Sequence, residues 1–218
     1  MPTTMAAPAT ATGTSRPTRR HGGFVAAIAL AVAATLAACG SSSSDHDPSG
    51  PPAPPNQAAF AWVHPAPVPP GWLTKHLPSG RATLAYPPGW RLTRTDPGTV
   101  TATLRRNGKI AGYLNITPQQ GDETLADWAS FRPAHNVEEG DHNLVPLASA
   151  TGLGFRDGKG SCVKDAYSTE TDHDYTEIAC VVQAPAATTV IVGATTPGLW
   201  DRLSSTLERA ITSFDPSA

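Results

Sequence analysis

Lysine is nearly missing from this chain: Lys75, Lys109, Lys159 and Lys164 stand beside twelve arginines, and charged residues make up only 16% of the total. Residues 1–38 hold Arg16, Arg19 and Arg20 but no acid, so the rest carries 13 basic against 18 acidic residues. Its charge is therefore −5, against −2 for the whole chain. Phosphate binding needs clustered cations, so this balance argues against nucleic acid as a partner. It also argues against holding an anionic membrane by charge alone.

Catalytic and metal signatures are lacking too. There is no G-x-S-x-G, no G-x-x-x-x-G-K-[ST], no G-x-G-x-x-G, no H-E-x-x-H and no Cys/His zinc spacing. The run "GLGFRDGKG" is glycine-rich but leads into a strand, whereas a phosphate cradle opens a helix. Ser161 beside Cys162 offers no activated nucleophile by itself, and the histidines are scattered, with His46 and His64 in the proline-rich stretch. No cofactor and no catalytic residue is expected.

Long apolar runs are absent but for one. "FVAAIALAVAATLAA" spans about fifteen residues, the length of a secretory core and short of the roughly 20 a membrane helix needs. Arginines precede it, and "LAAC" follows, ending in Cys39. That pattern resembles the bacterial lipobox. The resemblance implies cleavage before Cys39, with the thiol taking a diacylglycerol and the new amine open to acylation. Two acyl chains hold a membrane stably where one is marginal. The chain is thus expected to sit on the outer face of the cytoplasmic membrane, with residues 1–38 as signal peptide.

Residues 39–76 read as a Ser/Pro-rich tether. Nine of the 23 residues from Pro48 to Pro70 are proline, which favours an extended polyproline II spacer. The apolar patch "FAWV" (60–63) is a point where it can dock. Trp62 and Trp72 lie in this stretch and are candidates for contact with a lipid, a glycan or a partner protein.

A domain is expected over residues 77–214, with 215–218 as tail. "RATLAYP", "WRLTRT", "TVTATLRR" and "KIAGYLNIT" read as strands, and Asn107-Gly108 between the last two marks a tight hairpin. Asp122 is placed as the N-cap of a helix over "ETLADWASFR" that Pro133 ends. "LVPLASATGLGFRDG", "GSCVKDAYST", "YTEIACVVQA" and "TTVIVGAT" follow as strands. Thr196 and Pro197 open a last helix, in which Trp200, Leu203, Leu207, Ala210, Ile211 and Phe214 recur at helical spacing. Trp90, Trp128 and Trp200 fall at packing positions. The fold class is α+β: a mostly antiparallel sheet packed by two helices.

With Cys39 consumed by lipidation, Cys162 and Cys180 are left to pair across consecutive strands, as an oxidising compartment allows. The hairpin between them gathers Glu170, Asp172, His173, Asp174 and Glu177. Asp172, His173 and Asp174 are weak metal candidates, since no glycine provides a calcium-loop turn. Glu138, Glu139, Asp141 and His142 form a second polar cluster after the first helix.

"ATLAYPPGW" near the domain start and "LERAITSF" at its end resemble the PsbP-like fold, including small actinobacterial lipoproteins of the LpqN and LpqT type. The resemblance implies a non-enzymatic domain that docks on partners. The expected function is a binding or accessory role in the bacterial envelope, for a protein, lipid or glycan. An envelope hydrolase or transferase and a metal-dependent sensor are the competing classes. Replacing Cys39 with Ser is expected to abolish metabolic labelling by a fatty-acid probe; undiminished labelling would remove the anchor.

Overall fold

A computed structural model describes residues 52–217, and Cys39 and the signal peptide lie outside them. The fold is α+β and its sheets are antiparallel. A seven-stranded sheet has the order β3-β4-β5-β9-β8-β7-β6, and β1 (Leu73–His76) pairs with β2 (Thr83–Tyr86) in a sheet of two. The large sheet comprises β3 (Arg91–Thr93), β4 (Val100–Arg106), β5 (Lys109–Pro118), β6 (His142–Phe155), β7 (Gly158–Ser168), β8 (Asp174–Gln183) and β9 (Thr188–Thr195). Asn107 and Gly108 both take positive φ, 51° and 79°, which is what a two-residue hairpin matched to strand twist demands.

Each face of the sheet meets one helix. On one side lies α2 (Trp200–Thr212), whose Leu207, Ala210 and Ile211, followed by Phe214, pack with Leu84, Leu114, Ile116, Ile178 and Ile191. Gly193 of β9 allows this approach, because a Cβ there would stand 3.2 Å from the Leu207 Cβ. Cys162 and Cys180 face each other in this core, 4.1 Å apart at Cα, and are joined by a disulfide. On the other side α1 (Trp128–Glu138) covers β7, β8 and β9 with Trp128, packed among Val163, Ala179, Val181, Val190 and Val192.

Helix α1 corrects two expectations. It is introduced by Thr124-x-x-Asp127 and not by Asp122. The Asp127 carboxylate accepts from Thr124 N at 2.8 Å, and Thr124 Oγ1 accepts from Asp127 N at 3.3 Å, the reciprocal pattern of a capping box. Nor does Pro133 end it. Proline lacks the N–H that would bond the carbonyl four residues back, here Ala129. That carbonyl instead accepts from Ala53 N at 2.9 Å, so a neighbouring segment makes good the missing bond.

The same segment corrects the domain boundary. The part of the expected tether from Pro52 onward belongs to the domain. Asn56 N donates to Ser149 O at 2.7 Å and Ser149 N to Pro54 O at 2.8 Å, so residues 53–56 line the outer edge of β6. Phe60 and Val63 are buried in the α2-side core, with Trp62 and Trp72 packed against it. Trp62 and Trp72 are half-buried and not free to meet a partner with their whole rings. Asp215 leaves the expected tail as well, exchanging backbone bonds with Thr83 at 2.8 and 3.2 Å.

A chain shortened to begin at Asp45 is expected to melt like one that begins at Gly40. One that begins at His64 loses Phe60, the β6 edge cover and the Ala129 partner. It should be destabilised by at least about 3 kcal/mol, the usual cost of one buried Phe. Equal melting of the three, followed by circular dichroism, would restore the tether reading.

Candidate functional site

The α1 side of the sheet holds an unusual row of side chains. Cross-strand register aligns Thr103, Tyr113, Ala194, Glu177 and Asp165 on neighbouring strands β4, β5, β9, β8 and β7. Glu177 and Asp165 are both fully buried. Expectation placed Glu177 in an acidic hairpin tip; the structure puts it inside β8, under α1. Arg132 of α1 grips its carboxylate with both Nε (2.7 Å) and Nη2 (2.9 Å). The Tyr113 and Tyr167 hydroxyls donate to Glu177 Oε2 at 3.0 and 3.1 Å. A buried charge needs such partners, because leaving one unpaired costs several kcal/mol.

One guanidinium serves two carboxyls, and Asp165 loses. Burial, then the Glu177 charge, raises its pKa well above the ordinary value. Asn136 Nδ2 donates to Asp165 Oδ2 at 3.5 Å, and Asp165 Oδ1 and Asn136 Oδ1 lack partners among the described residues. Burial and the neighbouring Glu177 charge thus favour the protonated form of Asp165. Asp141 at the end of α1 is raised to about 6 by burial, Glu177 and Glu139. Burial followed by Glu177 also lifts the Tyr113 and Tyr167 phenols, so both stay protonated donors.

Helix α1 leaves the β3–β5 part of this face open, and a cleft of about 350 Å³ results. Its floor is Thr93, Thr101, Thr103, Asn115 and Thr117, with Tyr113 and Tyr175 at one end. Arg132, His135 and Glu139, spaced along one face of α1, make the wall, and Thr95, Asp96 and Thr99 form the rim. The hydroxyls are linked: Thr95 lies 2.9 Å from Thr99 and 2.8 Å from Thr101, and Asn115 Nδ2 donates to Thr101 at 2.8 Å. Thr93 and Thr103 pair at 2.8 Å. His135 lies 3.3 Å from Glu139, whose hydrogen bond raises the imidazole pKa and is itself reflected in a lowered Glu139 pKa. His135 and Glu139 of the wall thus oppose each other and Arg132 is taken by Glu177, while the lining joins threonine hydroxyls and the Asn115 amide to apolar Ile110, Val190 and Val192, with Asp96 on the rim.

Sequence candidates fall mostly elsewhere. Asp172 contacts His142 Nε2 at 3.1 Å, His173 Nδ1 lies 3.1 Å from Thr171, and Asp174 accepts from Ser168 at 2.7 Å. The three metal candidates are thus turned to separate partners, and no group of three or more metal-ligating side chains occurs among the described residues. Ser161 donates to Leu125 O at 2.6 Å, a structural bond. Of the Glu138–His142 cluster, Glu139 lines the cleft. Among the described residues, no helix is long and apolar enough to cross a membrane.

The Asp165 environment sets a pH dependence. The Asp165 pKa is raised on folding, so folding takes up a proton once the unfolded carboxyl ionises above about pH 4, and stability falls as pH rises from there towards the folded value. Asp165→Asn, permanently neutral, should therefore melt higher than the parent at pH 8, with the gap closing by pH 4. A gap that grows towards acid would show an ionised Asp165.

No protein-family model matches the chain, and no curated protein does. Among solved structures it is similar to the cyanobacterial PsbP (CyanoP) from Synechocystis sp. PCC 6803 in solution. The two share 16% identity over 66% of this chain and 91% of that one, with a TM-score of 0.49. It is also similar to a protein of unknown function, PA94, from Pseudomonas aeruginosa, at 16% identity over 65% of this chain and 94% of that one, TM-score 0.42. A third is LpqN of Mycobacterium tuberculosis, described as involved in cell envelope biogenesis. It shares 14% identity over 67% of this chain and 85% of that one, TM-score 0.36. Both groups to which the sequence motifs pointed, PsbP and LpqN, are among the structures this chain is similar to.

Proposed function

We propose that this chain is a lipid-anchored binding or accessory domain of the bacterial envelope, held outside the cytoplasmic membrane through Cys39. In this reading the α1-side cleft takes a hydroxyl-rich ligand such as a glycan segment. The observation that carries it is the lining. A cleft of about 350 Å³ presents linked threonine hydroxyls and the Asn115 and Gln120 amides, beside the Tyr175 ring. Hydroxyls both donate and accept, so such a surface can match a sugar's hydroxyls without a formal charge. The remaining chemistry favours holding over turnover. His135 is engaged with Glu139, and Arg132 with Glu177. Neither makes a hydrogen bond to a lining hydroxyl among the described residues, so an activated nucleophile is not assembled.

Soluble N-acetylglucosamine-containing wall oligosaccharides, titrated into isotopically labelled protein, are expected to shift the amides of Thr93, Thr101 and Asn115. Asn115→Leu should weaken that binding about tenfold, as loss of one well-placed polar contact does. Shifts confined to other surfaces, or release of cleaved product, would overturn the reading.

A further inference from the structure

The net charge of the chain conceals a local concentration. Between Arg91 and Lys109 stand five cations (Arg91, Arg94, Arg105, Arg106 and Lys109) and a single acid, Asp96. All five are exposed, and none takes part in an ion pair among the described residues. The fold draws them to one corner. β3 is the outermost strand, Arg91 lies opposite Thr103 of β4, and Arg106 faces Lys109 across the hairpin turn. Leu92, 47% exposed, stands on the same edge strand.

We propose that this β3–β4 edge docks the domain onto the surface of an anionic phospholipid bilayer. The cations meet lipid phosphodiesters, and Leu92 enters the headgroup layer. Near an anionic surface each arginine or lysine contributes about 1 kcal/mol, and the effect fades within a Debye length. The acids are arranged to suit this posture. Glu170 and Asp172, in the β7–β8 turn, lie beyond β9 and β8 as counted from β5. Two strand intervals are about 10 Å, more than the Debye length of about 8 Å at physiological salt. Edge-on contact therefore brings the cations to the surface and keeps those acids outside its field. Glu139 faces the cleft that Thr93 of β3 floors, but its charge is met by His135 at 3.3 Å, with Glu138 3.9 Å from the same imidazole.

Chain length permits the same posture. Residues 53–56 lie along β6, the opposite edge, six strand intervals or about 29 Å from β3. The step from Cys39 to Ala53 is fourteen residues, with a reach of at most about 50 Å. A bilayer-held Cys39 can thus feed the far edge while β3 rests on the lipid. Only this reach argument depends on the anchor; the charge argument stands without it.

The test uses the mature polypeptide from Gly40 on, without the acylated cysteine, so that failure of docking is separable from failure of lipidation or of glycan binding. It should co-sediment with phosphatidylglycerol-containing vesicles at low salt, less at high salt, and not with phosphatidylcholine vesicles. Arg91→Ser with Arg106→Ser should lower the partition about 25-fold, roughly fivefold per charge. Lys159→Ser with Arg202→Ser, an equal loss of charge at exposed sites elsewhere, should leave it unchanged. Matching melting curves establish that both variants fold. Equal binding to neutral vesicles, no binding to anionic ones, or equal losses in the two double variants would each overturn the proposal. So would sedimentation that raised salt does not diminish.

Discussion

The α1 side of this domain depends on one buried carboxylate. Glu177 sits in the middle of the sheet with no exposed surface, and its two oxygens take four hydrogen bonds from Arg132, Tyr113 and Tyr167. A carboxylate placed there without them would not be tolerated. The row is spaced to allow it. Ala194, between Tyr113 and Glu177, is small enough for the phenol to reach across β9. Because Arg132 belongs to α1, satisfying Glu177 also fixes where that helix lies on the sheet. The cleft wall is set by the same contact, since Arg132 and His135 are neighbours on the helix. The second carboxyl, Asp165, has no such cation and is pushed towards its protonated form. Such a polar core is poor evidence of added stability, because well-packed apolar residues would serve as well. Its effect is to make one helix position much better than its alternatives.

A second chain of dependence runs through proline. Pro133 in α1 frees the Ala129 carbonyl, and Ala53 fills it. The Ala53 segment can do so because it lies along β6, where Ser149 exchanges two backbone bonds with Pro54 and Asn56 and donates its hydroxyl to Ala53 O at 2.8 Å. An outer strand is a template for unwanted pairing, and prolines, lacking N–H groups, make a cover that cannot itself be extended. The proline-rich stretch thus closes a sheet edge and completes a helix that proline had interrupted. The helix in turn carries Arg132 to Glu177. Sequence neighbours of a spacer have become part of the machinery that positions the cleft.

These relations explain what could be read beforehand. The strands, the Asn107-Gly108 hairpin and the last helix rest on local patterns, periodicity and turn chemistry, which the sequence displays directly. Residues 52–76 read as a tether because an extended proline-rich segment looks the same whether it is docked or free; the partner of residues 53–56, the β6 edge, is almost a hundred residues away. Pro133 reads as a stop for the same reason, since its substitute donor, Ala53 N, is not local. Glu177 had a signal that was available. Pairing Cys162 with Cys180 in antiparallel strands places residue 165 opposite residue 177, so two carboxyls face each other. That arrangement calls for a cation from outside the sheet, and Arg132 answers it. The cleft had no signal, because it exists where α1 fails to extend over β3–β5, and a missing cover leaves no pattern.

The way the cleft is built bears on how it would work. Its floor is strand backbone, its hydroxyls are bonded to one another, and its wall is tied through Arg132 to the interior of the sheet. A ligand would meet groups already held in place, so little ordering would have to be added on binding. That arrangement suits recognition by a rigid surface better than closure of a lid. The linked threonines also limit affinity, since each hydroxyl bonded to a neighbour has fewer bonds to give. The cleft therefore favours a ligand that touches several hydroxyls at once over one that relies on a single strong contact. A repeating polymer meets that requirement, offering the same hydroxyl pattern at successive units. Modest affinity at one cleft is then enough, provided the domain is held close to where the polymer lies.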